Sequence, residues 1–174
     1  MTARHRFVMV WLSGLIAFVI AVSLHMPLSL ASVPEGIVAH QTAGNAARVD
    51  YIQREWAFAG VYESAMVAMI ADFFFIILFG TGSLMAGLYY RSHGRGWLRT
   101  IGKVTAIAAV IFLASDLTET TMQIQQLRAG QGNDEMAALA KAMHYPKLVT
   151  WIICFILPLN GLVIDWSGSR QTGA

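Results

Sequence analysis

Four apolar runs, each long enough to cross a bilayer, leave this chain few ways to fold. They extend over about residues 7–30, 57–90, 101–125 and 146–166. A helix needs roughly 20 residues, at about 1.5 Å each, to span hydrocarbon, and every run reaches that length. Backbone amides left unpaired in lipid are costly, so such runs fold as helices. The composition agrees: 56% of the 174 residues are hydrophobic and 13% charged, against about 25% charged in soluble domains. The expected fold is an all-α membrane protein, a single domain over residues 1–174 that forms a four-transmembrane-helix bundle in the lipid bilayer.

The basic residues set the expected orientation. Arg4 and Arg6 precede the first run, Arg91, Arg95, Arg99 and Lys103 crowd the second loop, and Arg170 follows the last run. In the other two loops Arg48, Arg54, Arg128 and Lys141 are diluted by Glu35, Asp50, Glu55, Asp134 and Glu135. The positive-inside rule then places both termini and the 91–100 loop in the cytoplasm, with the chain expected as a multi-pass protein of the cell's inner (plasma) membrane. A competing reading takes residues 1–31, with their basic start and Ser29-Leu30-Ala31 end, as a cleavable signal peptide. The apolar run exceeds the usual length of about 7–15 residues, which favours a retained helix. The net charge of +2 reflects this topological bias and gives no sign of nucleic-acid binding.

The loops carry their own signals. Residues 46–56 read as a short helix at the outer interface. Asn133 reads as the N-cap of a second short helix, whose first-turn acids Asp134 and Glu135 suit the helix dipole, with Pro146 as the joint to the fourth span. Trp56 and Tyr62 fit an outer aromatic belt, and Tyr89, Tyr90, Trp97 and Trp166 an inner one. His5, His40 and His93 fall in the tail or loops and are expected to be solvated. Small residues recur four apart at Ser13, Ala17 and Ala21, at Gly82 and Ala86, and at Ser83 and Gly87, a spacing that lets helices pack closely. Pro158 is expected to loosen the fourth helix, with Asn160 bonding the freed backbone. Asp165 reads as an interfacial cap or a partner for Arg99 or Lys103. The lone cysteine, Cys154, excludes an intrachain disulfide and a CxxC relay.

Inside the apolar runs lie three acids, Asp72, Asp116 and Glu119. A carboxylate in hydrocarbon needs a partner, a proton, a cation or water, so these acids mark the candidate site. Counted from rough helix centres, Asp72 lies about 4–5 Å, Asp116 about 3 Å and Glu119 about 7–8 Å toward the outer face. His25 and Lys147 follow at about 12–14 Å, and Glu63 and His144 at about 18 Å. All fall in one half of the membrane. Asp116, Glu119 and Gln123 share a helix face, with Thr120 beside it; so do His144, Lys147 and Trp151. Glu63, nine residues from Asp72, points the other way and reads as interfacial. Lys147 is placed to reach Glu119 or Asp116. His25, Asp72, Asp116, Glu119 and His144 also form a candidate metal set of oxygen and imidazole donors. The Glu-x-x-His signature of ferritin-like bundles is absent, however. Haem held by His25 and His144 is a thinner alternative. The sequence shows no Gly-rich phosphate loop, Ser-His-Asp arrangement or HExxH helix.

Ala71-Asp72-Phe73-Phe74-Phe75, Ser115-Asp116-Leu117-Thr118-Glu119 and Lys147 after a short outer helix resemble a group of small bacterial four-helix membrane proteins without assigned function. The resemblance covers roughly the last two-thirds of the chain and implies fold and topology only. Three functions fit the residues. The first is an outward-facing pocket of Asp72, Asp116, Glu119 and Lys147 that binds or relays a cation, proton or small ligand. The second is an accessory subunit of a larger membrane complex, a homo-oligomer being the other assembly expected. The third is a metal- or haem-dependent membrane enzyme acting on a lipid or quinone.

Overall fold

The computed structural model describes residues 2–171, with side chains described as far as Trp166. Helix α1 (Ala3–His25) continues into a single 3-10 turn, Met26–Leu28. Two short helices follow, α2 (Ile37–Gln41) and α3 (Ala46–Phe58). Then come three long ones, α4 (Tyr62–His93), α5 (Trp97–Ala129) and α6 (Asp134–Gln171). Among the described residues, α4, α5, α6 and α1 with its 3-10 turn are long and apolar enough to cross a membrane. Helices α4 and α5 outrun the expected ends because Arg91 and Arg128 remain helical beyond the apolar stretch, whereas α4 begins at Tyr62 and not near residue 57, because α3 continues to Phe58 and a turn at Gly60 separates the two.

Local chemistry explains the ends. Thr2 caps α1, its hydroxyl accepting from the His5 amide at 3.3 Å, and Asn45 caps α3 through the Arg48 amide at 2.9 Å. Asn133 accepts from the Met136 amide at 2.9 Å at the start of α6, as the sequence indicates. Gly130 closes α5 in the left-handed region at φ 61°, where a side chain would be strained. Pro146 is not a joint: α6 runs through it, and through Pro158, without a break. The short second loop helix and the fourth span are one continuous helix.

The long helices pack in chain order. Helix α1 lies along α4, α4 along α5, and α5 along α6. Gly14 and Gly82 let α1 approach α4 closely; a Cβ at Gly82 would sit 2.6 Å from the Trp11 backbone. Helices α1 and α6 meet instead through side chains. Phe18 packs on Trp151 with centroids 5.4 Å apart, Trp11 on Phe155 at 6.0 Å, and Arg4 reaches Asp165 at 3.2 Å. Asp165 thus pairs with the N-terminal helix, not with Arg99 or Lys103. The C-terminal end of an antiparallel α6 lies beside the start of α1, which the sequence does not reveal.

Pro158 cannot donate to the Cys154 carbonyl. Trp11 Nε1 donates to that carbonyl at 3.2 Å and Ser83 Oγ at 3.4 Å, so the proline knits α6 to α1 and α4. Asn160 donates to the Ile156 carbonyl at 3.0 Å, not to the one Pro158 frees.

Helices α2 and α3 cap the end of the bundle opposite the tight 91–100 turn. The cap has its own core, which includes Leu28, Val33, Ile52, Trp56 and Leu127. Trp56 is fully buried, donates to the Leu28 carbonyl at 3.0 Å and stacks on His40 at 5.4 Å. It is therefore no belt residue, and His40 is not solvated: burial lowers its pKa from 6.5 to about 4. Tyr90 is likewise buried, its hydroxyl donating to the Pro158 carbonyl at 3.3 Å. The Ala46 amide donates to Asp134 at 2.7 Å, tying the cap to the start of α6. The side chain of Arg170 lies outside the described residues.

Candidate functional site

Because α1 and α6 do not pack backbone to backbone, a cavity of about 430 Å³ opens between them at the capped end. Its walls are largely apolar. Phe18 comes from α1, Phe75 from α4, Phe112 from α5 and Trp151 from α6. Beneath it, Trp11, Phe75, Phe79, Phe112 and Cys154 form a packed central core that closes the bundle. Above it lie Ile37, Val38 and Gln41 of α2. The rim carries Val22, Val38 and Leu148, all exposed.

All four long helices place ionisable groups here. His25 Nε2 donates to Asp72 Oδ2 at 2.9 Å, joining α1 to α4. Lys147 Nζ donates to Glu119 Oε1 at 2.7 Å and stands 3.7 Å from Asp116 Oδ1, joining α6 to α5. His144 Nδ1 lies 3.6 Å from the same Glu119 oxygen. The helical spacing explains the convergence. Asp116, Glu119 and Gln123 are all at most 5% exposed on one face of α5. His144, Lys147 and Trp151 all face the cavity from α6.

Asp116 differs from the other two acids. Glu119 holds the lysine and Asp72 holds the histidine. Asp116 lines the cavity, is 5% exposed, and makes no hydrogen bond among the described residues. His25 Nδ1, Trp151 Nε1 and Glu119 Oε2 are also buried without a hydrogen-bond partner there. So are both amide atoms of Gln123. Such unmet atoms are uncommon and cluster where a ligand or water completes a site.

The five candidate metal ligands do not gather around one point. His25 and Asp72 form one pair, while His144 and Glu119 belong with Lys147 and Asp116. Among the described residues no group of three or more His, Cys, Asp or Glu is arranged to hold a metal ion. Lys147 takes the place a metal would occupy between Asp116 and Glu119. Each histidine of the haem alternative, His25 and His144, faces a carboxylate. Glu63 is exposed and apart from the site.

Sequence reasoning reached Trp151 but missed Phe18, Phe75 and Phe112 of the aromatic walls, and the α2 cover. A signal for the walls was present. Phe75 follows Asp72 by three residues, Phe112 precedes Asp116 by four, and Trp151 follows Lys147 by four, each sharing a helix face with its charged partner. No protein-family model, curated protein or solved structure matches this chain.

Proposed function

We propose that this protein is a binding protein of the membrane whose cavity takes a small amphipathic cation from the lipid phase. The supporting observation is the pairing of aromatic walls with a cavity-facing carboxylate, Asp116, that lacks a hydrogen bond. Aromatic faces attract cations through their quadrupole, and a buried carboxylate supplies the opposite charge. The apolar remainder of the ligand would lie against Phe18, Phe75 and Trp151, with the opening between α1 and α6 as its entry. The closed core below the cavity argues for binding rather than conduction through a single copy. The basic residues flanking the 91–100 turn favour that end, and with it both termini, on the cytoplasmic side. The cavity would then open in the outer half of the membrane.

The test is equilibrium dialysis of the detergent-purified protein with tetraphenylphosphonium, a hydrophobic cation. Saturable binding is expected. Ala21→Phe, which fills the cavity from the α1 wall, should abolish it. Ile16→Phe, on the lipid-facing side of α1, should leave it intact. Binding that ignores both substitutions contradicts the proposal.

A further inference from the structure

The charges around the cavity do not balance. From α4 comes Asp72, from α5 Asp116 and Glu119, from α1 His25, and from α6 His144 and Lys147. Three carboxylates face one permanent cation. Even with His25 protonated on Asp72, the set stays one negative charge in excess. Protonating His144 as well would set a second cation one helical turn from Lys147. A net charge held in a low-dielectric interior is costly, so one more positive charge belongs to this set. The geometry indicates where it sits. Glu119 is bonded to Lys147 at 2.7 Å and Asp72 to His25 at 2.9 Å. Asp116 alone has no hydrogen bond, and it faces the cavity.

We propose that Asp116 carries a proton when no cation is bound and releases it when a hydrophobic cation enters, so that proton and cation exchange at one position. The inference rests on the cavity being a cation site. In the exchange the O–H bond of Asp116 breaks, the carboxylate keeps the electron pair, and the proton passes to bulk water. The arriving cation replaces its charge, so the net charge of the buried set is unchanged. Repeated exchange is the elementary event that couples movement of a hydrophobic cation to a proton gradient. Lys147 is a fixed counter-ion, because its ammonium is held by Glu119. His25 holds Asp72 and keeps that carboxylate from competing for the cation.

Calorimetric titration with tetraphenylphosphonium in phosphate and in Tris, whose ionisation enthalpies differ, counts the protons released on binding. About one proton per cation is expected. The apparent affinity should fall by about tenfold for each unit of pH below the midpoint of the exchanging group, as linkage requires. Asp116→Asn should lose both proton release and cation binding, while Asp116→Glu retains both. Asp72→Asn should still release a proton. Binding without proton release in the wild-type protein overturns the exchange but leaves the cation site standing. Proton release that persists in Asp116→Asn assigns the exchange elsewhere and overturns the role given to Asp116. Absence of binding overturns both readings. If Asp116→Asn does not fold, the wild-type proton count still decides the exchange, and its assignment to Asp116 is read from Asp116→Glu, where an unchanged midpoint overturns it.

Discussion

Removing Lys147 should expose how much of this fold depends on a charge held inside it. Lys147 is the ammonium within 4 Å of both Glu119 and Asp116, at 2.7 and 3.7 Å. Glu119 is fully buried, and its second oxygen already lacks a hydrogen-bond partner. Lys147→Met keeps most of the side chain's length and deletes the charge, leaving the buried Glu119 carboxylate uncompensated. Breaking a buried pair from one side costs about 3–5 kcal/mol, whereas replacing both partners with neutral groups costs far less. The double variant Glu119→Gln/Lys147→Met should therefore recover most of the loss. Reversible unfolding in mixed micelles, with helicity read by circular dichroism, gives the four free energies of the cycle. A coupling of about 2 kcal/mol or more between the two positions is expected for groups in direct contact. A single variant within about 0.5 kcal/mol of wild type, or two effects that simply add, would refute the buried-pair reasoning.

Other perturbations follow from the same structure. Trp11→Phe removes the 3.2 Å donor to the Cys154 carbonyl and should cost about 1–2 kcal/mol. In a Pro158→Ala background, where the helix again bonds that carbonyl, the same change should cost less in the same unfolding assay. Leucine at Gly82 meets the Trp11 backbone and should separate α1 from α4, seen as faster hydrogen exchange in α1. Acid should loosen the cap. His40 titrates at about 4 when folded, below its ordinary 6.5, so between those values the unfolded cap binds the extra proton. Stability present above pH 6.5 is lost as pH falls toward 4, by about 3 kcal/mol at most. Hydrogen exchange across α2 and α3 reads this loss, and His40→Phe should remove it. Impermeant maleimide should label a cysteine placed in the 91–100 turn from the cytoplasmic side only, and one placed near Gly44 from the opposite side only.

Some of this architecture is legible in the residues alone. Length and apolarity fix the four long helices because lipid admits few alternatives. The Lys147–Glu119 contact is legible because the long lysine side chain can reach across the difference in depth between the two residues and a buried charge needs a partner. Depth is one coordinate, and rotation about each helix axis is another. Hydropathy does not supply the second where a helix is apolar all round. That is why His25 leaves its partner open until Asp72 is seen 2.9 Å away, and why Asp165 is matched to the wrong basic residues. Trp56, Tyr90 and His40 misled for a different reason. Each has a polar atom that suits an interface or water, but each lies in a packed core where that atom or its ring finds a protein partner. Pro146 misled because a proline within a long helix is tolerated when the surrounding packing holds its neighbours in place.

The cavity between α1 and α6 is the centre of this account, and photolabelling with a diazirine-bearing hydrophobic cation tests it most directly. Mass spectrometry of the labelled protein in lipid nanodiscs should place the adducts on residues 18–25 of α1 and 144–151 of α6. Unlabelled tetraphenylphosphonium should compete them away. Adducts spread over the lipid-facing residues of all four long helices, undiminished by competitor, would contradict the account.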